Sequence, residues 1–227
     1  MSSFVEQCVT SYLELASRDR GSLRDVPTPL LDASSAWKPP EGEPTGALAH
    51  VAVKIILKIV YVARMARPDI LRATCMLGRN ASRWRKEFDR RLHRLVSYMN
   101  CIKDWVQHSY VGDNFSDIRL GLFTDADFAG DKTDSKSTSG VFIAAGGPHT
   151  YAPIVSISKK QGCVSTSTCE SEVVAMNLGL KEAMSISDLR QALEPVFSGS
   201  GGLPLAPYRF ITFVRTGRPL TFSPKLS

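Results

Sequence analysis

The stretch LFTDADFAGDKTDSKSTSG, residues 122–140, places four aspartates within ten residues, after a short apolar run and before a turn rich in Ser, Thr and Gly. Ile118, Leu120 and the leucine that opens the stretch alternate with other residues, and this period of two predicts a strand that ends at Asp125. Two further apolar runs, GVFIAAGG and PIVSISKKQ, predict a second and a third strand, and residues 168–193 return to helical spacing. Three strands followed by a helix indicate an α/β domain of the α+β type.

The acidic residues of this region allow two interpretations. Asp125 lies at the predicted strand end and Glu172 in the first turns of the predicted helix, so their carboxylates can face each other. Hard divalent cations such as Mg²⁺ bind carboxylate oxygens, and a pair of such ions can promote phosphodiester cleavage. Acids at strand ends also serve turns or face solvent, and Asp131 and Asp134 are typical of turn residues. Spacing alone therefore leaves a metal site and a solvated turn both open.

The charge distribution divides the chain into a basic part and a mildly acidic part. The 227 residues carry a formal net charge of +6, are 43% hydrophobic and have a pI near 9.1. Residues 54–103 hold thirteen Lys and Arg against three acids, whereas residues 118–197 hold seven basic and nine acidic residues. The basic part fits either a solvated helix face or a surface that binds nucleic acid beside an acidic catalytic patch.

The first half of the chain is predicted to be helical. Helices are predicted over residues 1–19, from Gly46 to about Ala66, over residues 69–77, and in a long segment capped by Asn80 or Ser82. The apolar positions of the long helix form one stripe: Phe88, Leu92, Leu95, Val96, Met99 and Ile102. Its other face carries the candidate nucleic-acid-binding residues Arg83, Arg85, Lys86, Arg90, Arg91 and Arg94.

The cysteines and the N-terminus indicate an intracellular protein, cytoplasmic or nuclear and not secreted. Five cysteines without a CxxC pair indicate free thiols in a reducing compartment rather than a disulfide framework. The N-terminal residues lack the basic start and apolar core of a signal peptide. Lysine and arginine interrupt the most apolar run, ALAHVAVKIILKIVYVARMA, which therefore fits a buried helix better than a membrane span.

Four segments, read together, resemble the polyproteins of copia-type retrotransposons. FTDADFAGDKTDSKSTSG resembles the signature YSDADWAGD…RKSTSG that opens the ribonuclease H domain of this family, and ISKKQGCVSTSTCESEVVA resembles the SKKQ…SSTEAEY…A block of the same domain. Upstream, IVYVARMARPDILRATCML resembles the ARPD or TRPDI stretch beyond the polymerase palm, and RKEFDRRLHRLVSYM resembles the helix that follows it. The four matches keep the order and rough spacing of the family and cover about residues 46–195.

The resemblance implies a ribonuclease H-like mixed sheet with helices, which cleaves the RNA strand of an RNA–DNA hybrid with Mg²⁺ or Mn²⁺. By position, Asp125 matches the first catalytic aspartate and Glu172 the catalytic glutamate, both as metal ligands. Lys159 and Lys160 match the SKKQ motif, where phosphate contact and a solvated strand end are both open. The implied partners are the nucleic acid and the remainder of a Pol polyprotein, with no membrane.

Composition and the resemblance together predict a domain organisation, in which the two ends are assigned by composition and residues 46–197 by the resemblance. Residues 1–45 would form an N-terminal helix and a proline-rich linker, and residues 46–112 a basic helical region like the thumb or connection of a reverse transcriptase. Residues 113–197 would form a partial ribonuclease H-like domain, and residues 198–227 a divergent tail rich in Gly and Pro.

The departures from the family predict little or no cleavage. The third catalytic aspartate, in a DNQ-like motif after the Glu172 helix, has no counterpart, and the polymerase motif YVDD is absent. A missing core strand would also leave an unpaired sheet edge. Three hypotheses follow: a ribonuclease H-like nuclease, a module that binds nucleic acid without cleavage, and a decayed retroelement relic without activity.

Overall fold

In the computed structural model, the chain forms two compact units: a helical unit, Met1–His108, and a unit built on a sheet, Ser109–Ser227. The structure describes residues 2–30, 44–131, 134–198 and 211–214, of which 194–198 and 211–214 are described by their backbone. The predicted proline-rich linker and tail lie largely outside these residues. The mixed α/β class that the sequence predicts is confirmed.

The first unit is a set of helices around one apolar core. The helices are α1 (Ser2–Leu15), α2 (Ala52–Met65), α3 (Leu71–Arg79) and α4 (Lys86–Cys101), with short 3₁₀ turns before α3 and α4. All six apolar positions predicted for α4 are buried, together with one face each of α1 and α2. The run ALAHVAVKIILKIVYVARMA thus forms a core helix, and no helix within the described ranges is long and apolar enough to cross a membrane.

The start of α4 differs from its predicted start. Asn80 donates from Nδ2 to the carbonyl of Met76 and so finishes α3, and α4 begins only at Lys86. Asp89 accepts hydrogen bonds from the indole of Trp84 and the main-chain N–H of Ala47, at 2.7 Å each. The predicted cap at Asn80 or Ser82 is therefore wrong, because the chain entering α4 is fixed by the first turn of the helix itself.

The ARPD segment has a structural role in this unit. Arg67 is buried and binds both carboxylate oxygens of Asp69, at 2.9 and 2.7 Å, and the carbonyl of Ile102 at 3.1 Å. A buried guanidinium needs such partners, since an unpaired buried charge is costly. The motif thus ties the turn after α2 to the end of α4.

The second unit is a mixed sheet with one long helix on it. Its strands are β1 (Tyr110–Val111), β2 (Arg119–Asp127), β3 (Thr138–Gly147), β4 (Thr150–Lys160) and β5 (Ile211–Val214), and α5 spans Thr168–Ser198. Within the described residues the sheet order is β1-β4-β3-β2-β5. Strands β2, β3 and β4 form an antiparallel meander, and β5 pairs in parallel with β2. The sequence predicts an unpaired sheet edge where a core strand is missing, but β5 pairs with β2 from Gly121 to Thr124.

Small side chains allow α5 to lie close to the sheet. Ser171, Ala175, Gly179, Ala183 and Ser187 recur every fourth residue and are all buried. A Cβ atom at Gly179 would lie 2.8 Å from Cγ2 of Thr124 and 2.9 Å from a methyl carbon of Leu122. The helix therefore packs directly on β2 and β3, which fixes its first turn beside the acidic end of β2.

Candidate active site

Strand β2 presents Asp125 on the side of the sheet opposite to α5. Leu120, Leu122 and Thr124 are buried toward the helix, and strand alternation turns Asp125 the other way, where it is exposed. Asp125 pairs across the sheet with Gly140, and β2 continues for two further residues, to Asp127. Strand β2 therefore ends two residues later than the sequence predicts, and Asp125 lies in its regular backbone.

The start of α5 uses Glu170 for capping. The main-chain N–H of Glu170 donates to Oγ of Ser167 at 3.1 Å, and its carboxylate accepts from the N–H and hydroxyl of Thr166 at 2.7 and 2.9 Å. These bonds are a variant of the capping box. The N–H and hydroxyl of Thr166 also lower the pKa of Glu170. The first glutamate of the motif thus starts the helix, and the second is left for other chemistry.

Glu172 lies one residue beyond the buried Ser171 and reaches the end of β2. Its carboxylate accepts a hydrogen bond from the main-chain N–H of Ala126, and its Oε2 is buried without a hydrogen-bond partner in the described parts of the chain. Burial raises the pKa of Glu172, the negative charge of Asp125 raises it further, and the Ala126 N–H acts in the opposite direction. The Glu172 carboxylate thus lies at the end of β2, hydrogen-bonded to the residue after Asp125, and the charge of Asp125 acts on it.

The other aspartates of the acidic stretch stabilise the loop between β2 and β3. Lys160 binds Asp131 at 2.5 Å and Asp134 at 2.8 Å, and Asp134 also accepts from the N–H of Lys136 at 3.2 Å. The loop contains two non-glycine residues with positive φ, Ala129 at 49° and Ser135 at 56°. The ion pairs hold this loop beside the end of β2, and they were not predicted because Lys160 is remote in sequence.

Asp127 is held next to a glycine in the same loop. A Cβ atom at Gly130 would overlap the carboxylate of Asp127, so a larger residue there would require this carboxylate to move. Asp127 therefore contributes to the turn, and its carboxylate belongs to the same strand end as Asp125.

A buried amide connects β3 with the start of α5. Gln161, the last residue of SKKQ, is 5% exposed and donates from Nε2 to Oγ of Ser139 at 3.0 Å and to the carbonyl of Ser171 at 2.9 Å. Its Oε1 accepts from Oγ of Ser165 at 3.2 Å, and its main-chain N–H donates to the carbonyl of Ser137 at 2.8 Å. The resemblance to SKKQ pointed to this residue without assigning it a role.

The candidate basic residues of the first unit differ in what they bind. Arg83, Lys86 and Arg90 are exposed, Arg85 is half-buried, and Arg90 forms an ion pair with Glu87 at 3.1 Å.

Two further arginines of this candidate set, Arg91 and Arg94, form hydrogen bonds within the helical unit. Arg91 donates from Nε to Glu87 at 3.1 Å, and Arg94 donates to the carbonyl of Leu30 at 3.2 Å and to Oγ1 of Thr28 at 3.0 Å. Their guanidinium groups stabilise the helical unit, so Arg83, Lys86 and Arg90 are the better candidates there for an external phosphate.

The SKKQ lysines also divide. Lys159 is exposed at the end of β4, whereas Lys160 is half-buried and bound to its two aspartates. Lys159 is therefore the more available cation in the sheet unit.

The candidate metal site has two carboxylates, those of Asp125 and Glu172. Within residues 2–30, 44–131, 134–198 and 211–214, no three His, Cys, Asp or Glu side chains come together as a metal site. Strand β5 lies beside β2, where a third ligand could stand, but its sequence is Ile-Thr-Phe-Val, and no acid follows Glu194 in the chain.

Known proteins similar to this chain include a transposon polyprotein and an effector protein. The chain is 30% identical over 179 residues to the "Retrovirus-related Pol polyprotein from transposon TNT 1-94" of Nicotiana tabacum, an alignment that covers 75% of this chain and 12% of the polyprotein. It is 30% identical over 128 residues to the "Secreted RxLR effector protein 161" of Plasmopara viticola, which covers 56% of this chain and 84% of that protein.

No family model and no solved structure matches the chain. The chain thus spans about one eighth of the tobacco polyprotein and most of the length of the Plasmopara protein. The expected intracellular location stays a prediction. The chain belongs to the family of the Plasmopara viticola protein, and over three quarters of its length it is similar to a part of a retrotransposon Pol polyprotein.

Proposed function

We propose that this chain is a retrotransposon-derived, ribonuclease H-like domain preceded by a helical segment from the end of a reverse transcriptase. The similarity to a transposon Pol polyprotein supports this origin. A meander of three strands, followed by a helix and a parallel strand beside β2, is compatible with the mixed sheet that the resemblance implies. One observation carries the proposed activity: Glu172 accepts a hydrogen bond from the N–H of Ala126, the residue after Asp125, and keeps a buried oxygen without a partner in the described structure.

The two carboxylates fit a hard divalent cation. Glu172 carries a buried, unpartnered oxygen within the described structure, and its proton affinity is raised by burial and by the charge of Asp125. A divalent cation would supply the missing partner and offset the repulsion between the two acids. Asp125 and Glu172 would therefore hold Mg²⁺ or Mn²⁺. When bound, such an ion polarises a phosphoryl oxygen and lowers the pKa of a bound water.

Slow cleavage of the RNA strand of an RNA–DNA hybrid is the proposed activity. Two carboxylates bind a cation more weakly than a larger acidic set, and β5, which pairs with β2 as far as Thr124, has the sequence Ile-Thr-Phe-Val and supplies no third acid. The Ala126 N–H holds Glu172 in place, and Lys159 is exposed for contact with a phosphate. The protein thus retains a cation site while lacking part of the charge that stabilises the transition state.

The test is cleavage of a labelled RNA–DNA hybrid in Mg²⁺ or Mn²⁺. The Asp125→Asn and Glu172→Gln variants are compared with Asp188→Asn, which changes an exposed acid further along α5. We expect slow cleavage by the wild type and by Asp188→Asn, and loss of cleavage in the other two variants. Cleavage that survives Asp125→Asn would contradict the assignment of the site.

A second candidate function is nucleic-acid binding without cleavage. The exposed residues Arg83, Lys86 and Arg90 of the helical unit favour it. Each neutralised phosphate makes the affinity more salt-dependent, by about 0.9 in the slope of log K against log salt on duplex DNA. Arg83→Ala should lower this slope by about one for a hybrid, whereas Arg94→Ala, whose guanidinium binds Thr28 and Leu30, should leave the slope unchanged. A protein that neither cleaves nor binds would be the inactive relic.

A further inference from the structure

We infer that Gln161 is a positioning residue that holds Glu172 at the end of β2 that carries Asp125, an inference that rests on the proposed cation site. The side chain lies between β4 and the start of α5 and is buried on all sides by the protein. It contacts neither carboxylate directly, so it would act through the backbone on either side of the pair.

The amide nitrogen of Gln161 joins the two elements that carry the acids. It binds the carbonyl of Ser171, the residue before Glu172, at 2.9 Å, and Oγ of Ser139 at 3.0 Å. Ser139 pairs in register with Ala126, the residue after Asp125 and the source of the N–H that binds Glu172. The amide group of Gln161 therefore links Ser171, which precedes Glu172, to Ser139, which pairs with the residue after Asp125.

The side-chain amide and the main-chain N–H of Gln161 both have hydrogen-bond partners. Both amide hydrogens have acceptors, Oε1 accepts from Ser165, and the main-chain N–H donates to Ser137. A side chain that lacks these donors would leave the carbonyl of Ser171 and the hydroxyl of Ser139 buried without this partner. The first turn of α5 would then lose its lateral restraint against β3, while the packing around Gly179, two turns further on, would remain.

The restraint matters because metal affinity depends on ligand spacing. Two carboxylates that repel each other separate unless the scaffold opposes their movement, and loss of an outer-shell partner typically reduces metal affinity by roughly 10- to 100-fold. Gln161 supplies this opposition for a pair that has no third acid on the described β5 strand to share the cation. The shape-matched, apolar variant Gln161→Met removes it without creating a charge.

The experiment measures Mn²⁺ affinity by calorimetry and locates the ion by paramagnetic broadening of the Ala126 and Glu172 amide signals. We expect Gln161→Met to weaken Mn²⁺ binding by roughly tenfold. The matched control is Ala183→Gly, which loosens the same helix against the sheet at a buried position about three turns away. It should lower the urea midpoint by a similar amount and leave the affinity within about twofold of the wild type.

The outcomes separate the inference from the proposed function. If the wild type does not bind Mn²⁺, or if Asp125→Asn binds it unchanged, the cation site itself is wrong. If the wild type binds and Gln161→Met loses no more affinity than Ala183→Gly, Gln161 is a structural residue only and the inference is overturned. Ser139→Ala, which removes one of the two acceptors, should give a smaller loss and keeps the test available if Gln161→Met does not fold.

Discussion

At the scale of single residues, Glu172 is held in an unfavourable state whenever it is ionised. Burial and the nearby Asp125 raise its pKa, so the folded protein binds this proton more tightly than the unfolded chain does. The contribution of Glu172 to stability is therefore fully present below its ordinary pKa of 4.5 and is lost as the pH rises above it. At neutral pH without divalent cations, the ionised side chain lowers the free energy of unfolding.

Glu172→Gln should therefore stabilise the metal-free protein at pH 7. We expect a gain on the order of 0.5 kcal/mol, the scale of a solvent-screened charge pair, which disappears near pH 4. Urea unfolding at the two pH values measures it, with Asp188→Asn as the control that changes an exposed acid of the same helix. A loss of stability at pH 7 would mean that Glu172 makes a favourable contact in the absence of metal.

His93 makes the helical unit sensitive to acid. Its Nε2 lies 3.1 Å from the carbonyl of Ser22, which can only accept, so Nε2 carries a hydrogen, and its Nδ1 lies 2.9 Å from the Tyr12 hydroxyl. In the neutral ring, Nδ1 accepts from this hydroxyl. Burial lowers the pKa of His93 below its ordinary 6.5, the nearby Arg18 and Arg24 lower it too, and the bond to Ser22 opposes them.

We expect the free energy of unfolding to fall as the pH drops below about 6.5, because the unfolded chain then binds a proton that the folded protein resists. His93→Gln should flatten this dependence between pH 7 and pH 5. His50→Gln, at an exposed position of the same unit, is the control and should keep the wild-type slope. Thermal unfolding followed by circular dichroism at several pH values measures the difference. Equal slopes in the two variants would contradict the neutral ring.

At the scale of elements, periodicity predicted where helices and strands form better than which faces they bury. The alternation before Asp125 and the stripe from Phe88 to Ile102 both correspond to buried faces. In α5, however, the large residues Val173 and Met184 are 62% and 59% exposed. The sheet contact uses small residues instead, because close approach depends on side-chain size and not on hydrophobicity alone.

The candidate site shows the same limit. Asp125 and Glu172 could be predicted as candidate ligands because each occupies a recognisable place in a motif, one on a strand and one on a helix. The bonds of Gln161 and the ion pairs of Lys160 join residues that are distant in sequence, so spacing carries no signal for them. The caps predicted at Asn80 and Ser82 were wrong for a related reason, since Asp89 organises that turn through contacts with Ala47 and Trp84.

The close contact of α5 with the sheet gives a prediction at this scale. Gly179→Ala would place a methyl group 2.8 Å from Thr124 and 2.9 Å from Leu122, so the helix must move away from β2. Overpacking of this kind costs about 1–3 kcal/mol, which exceeds the higher helix propensity of alanine. Gly162→Ala, where a Cβ meets nothing within 4 Å, is the matched control and should be close to neutral. Denaturant unfolding compares them, and an equal or greater stability of Gly179→Ala would show that the contact is loose.

At the scale of the whole molecule, the chain is two units with different contents. The helical unit contains most of the apolar core, whereas the sheet unit relies on fewer buried apolar side chains and on the polar network around Gln161. Two units with separate cores need not unfold in one step, so a single unfolding midpoint is not assured for the full chain. The boundary between His108 and Ser109 lies within an irregular segment, residues 105–109, in which every residue is exposed.

Among the residues that the structure describes, we expect chymotrypsin to cut the native protein first within residues 105–109. Trp105 is 68% exposed and lies in irregular backbone, which a protease can bind in extended form. Tyr61 is 51% exposed but belongs to α2, where the helical hydrogen bonds protect the main chain. Limited digestion followed by intact-mass spectrometry should therefore give fragments ending at Trp105 before any ending at Tyr61. Trp105→Ala should remove this cut, and early cleavage after Tyr61 would instead mean that α2 opens locally before the boundary segment is reached.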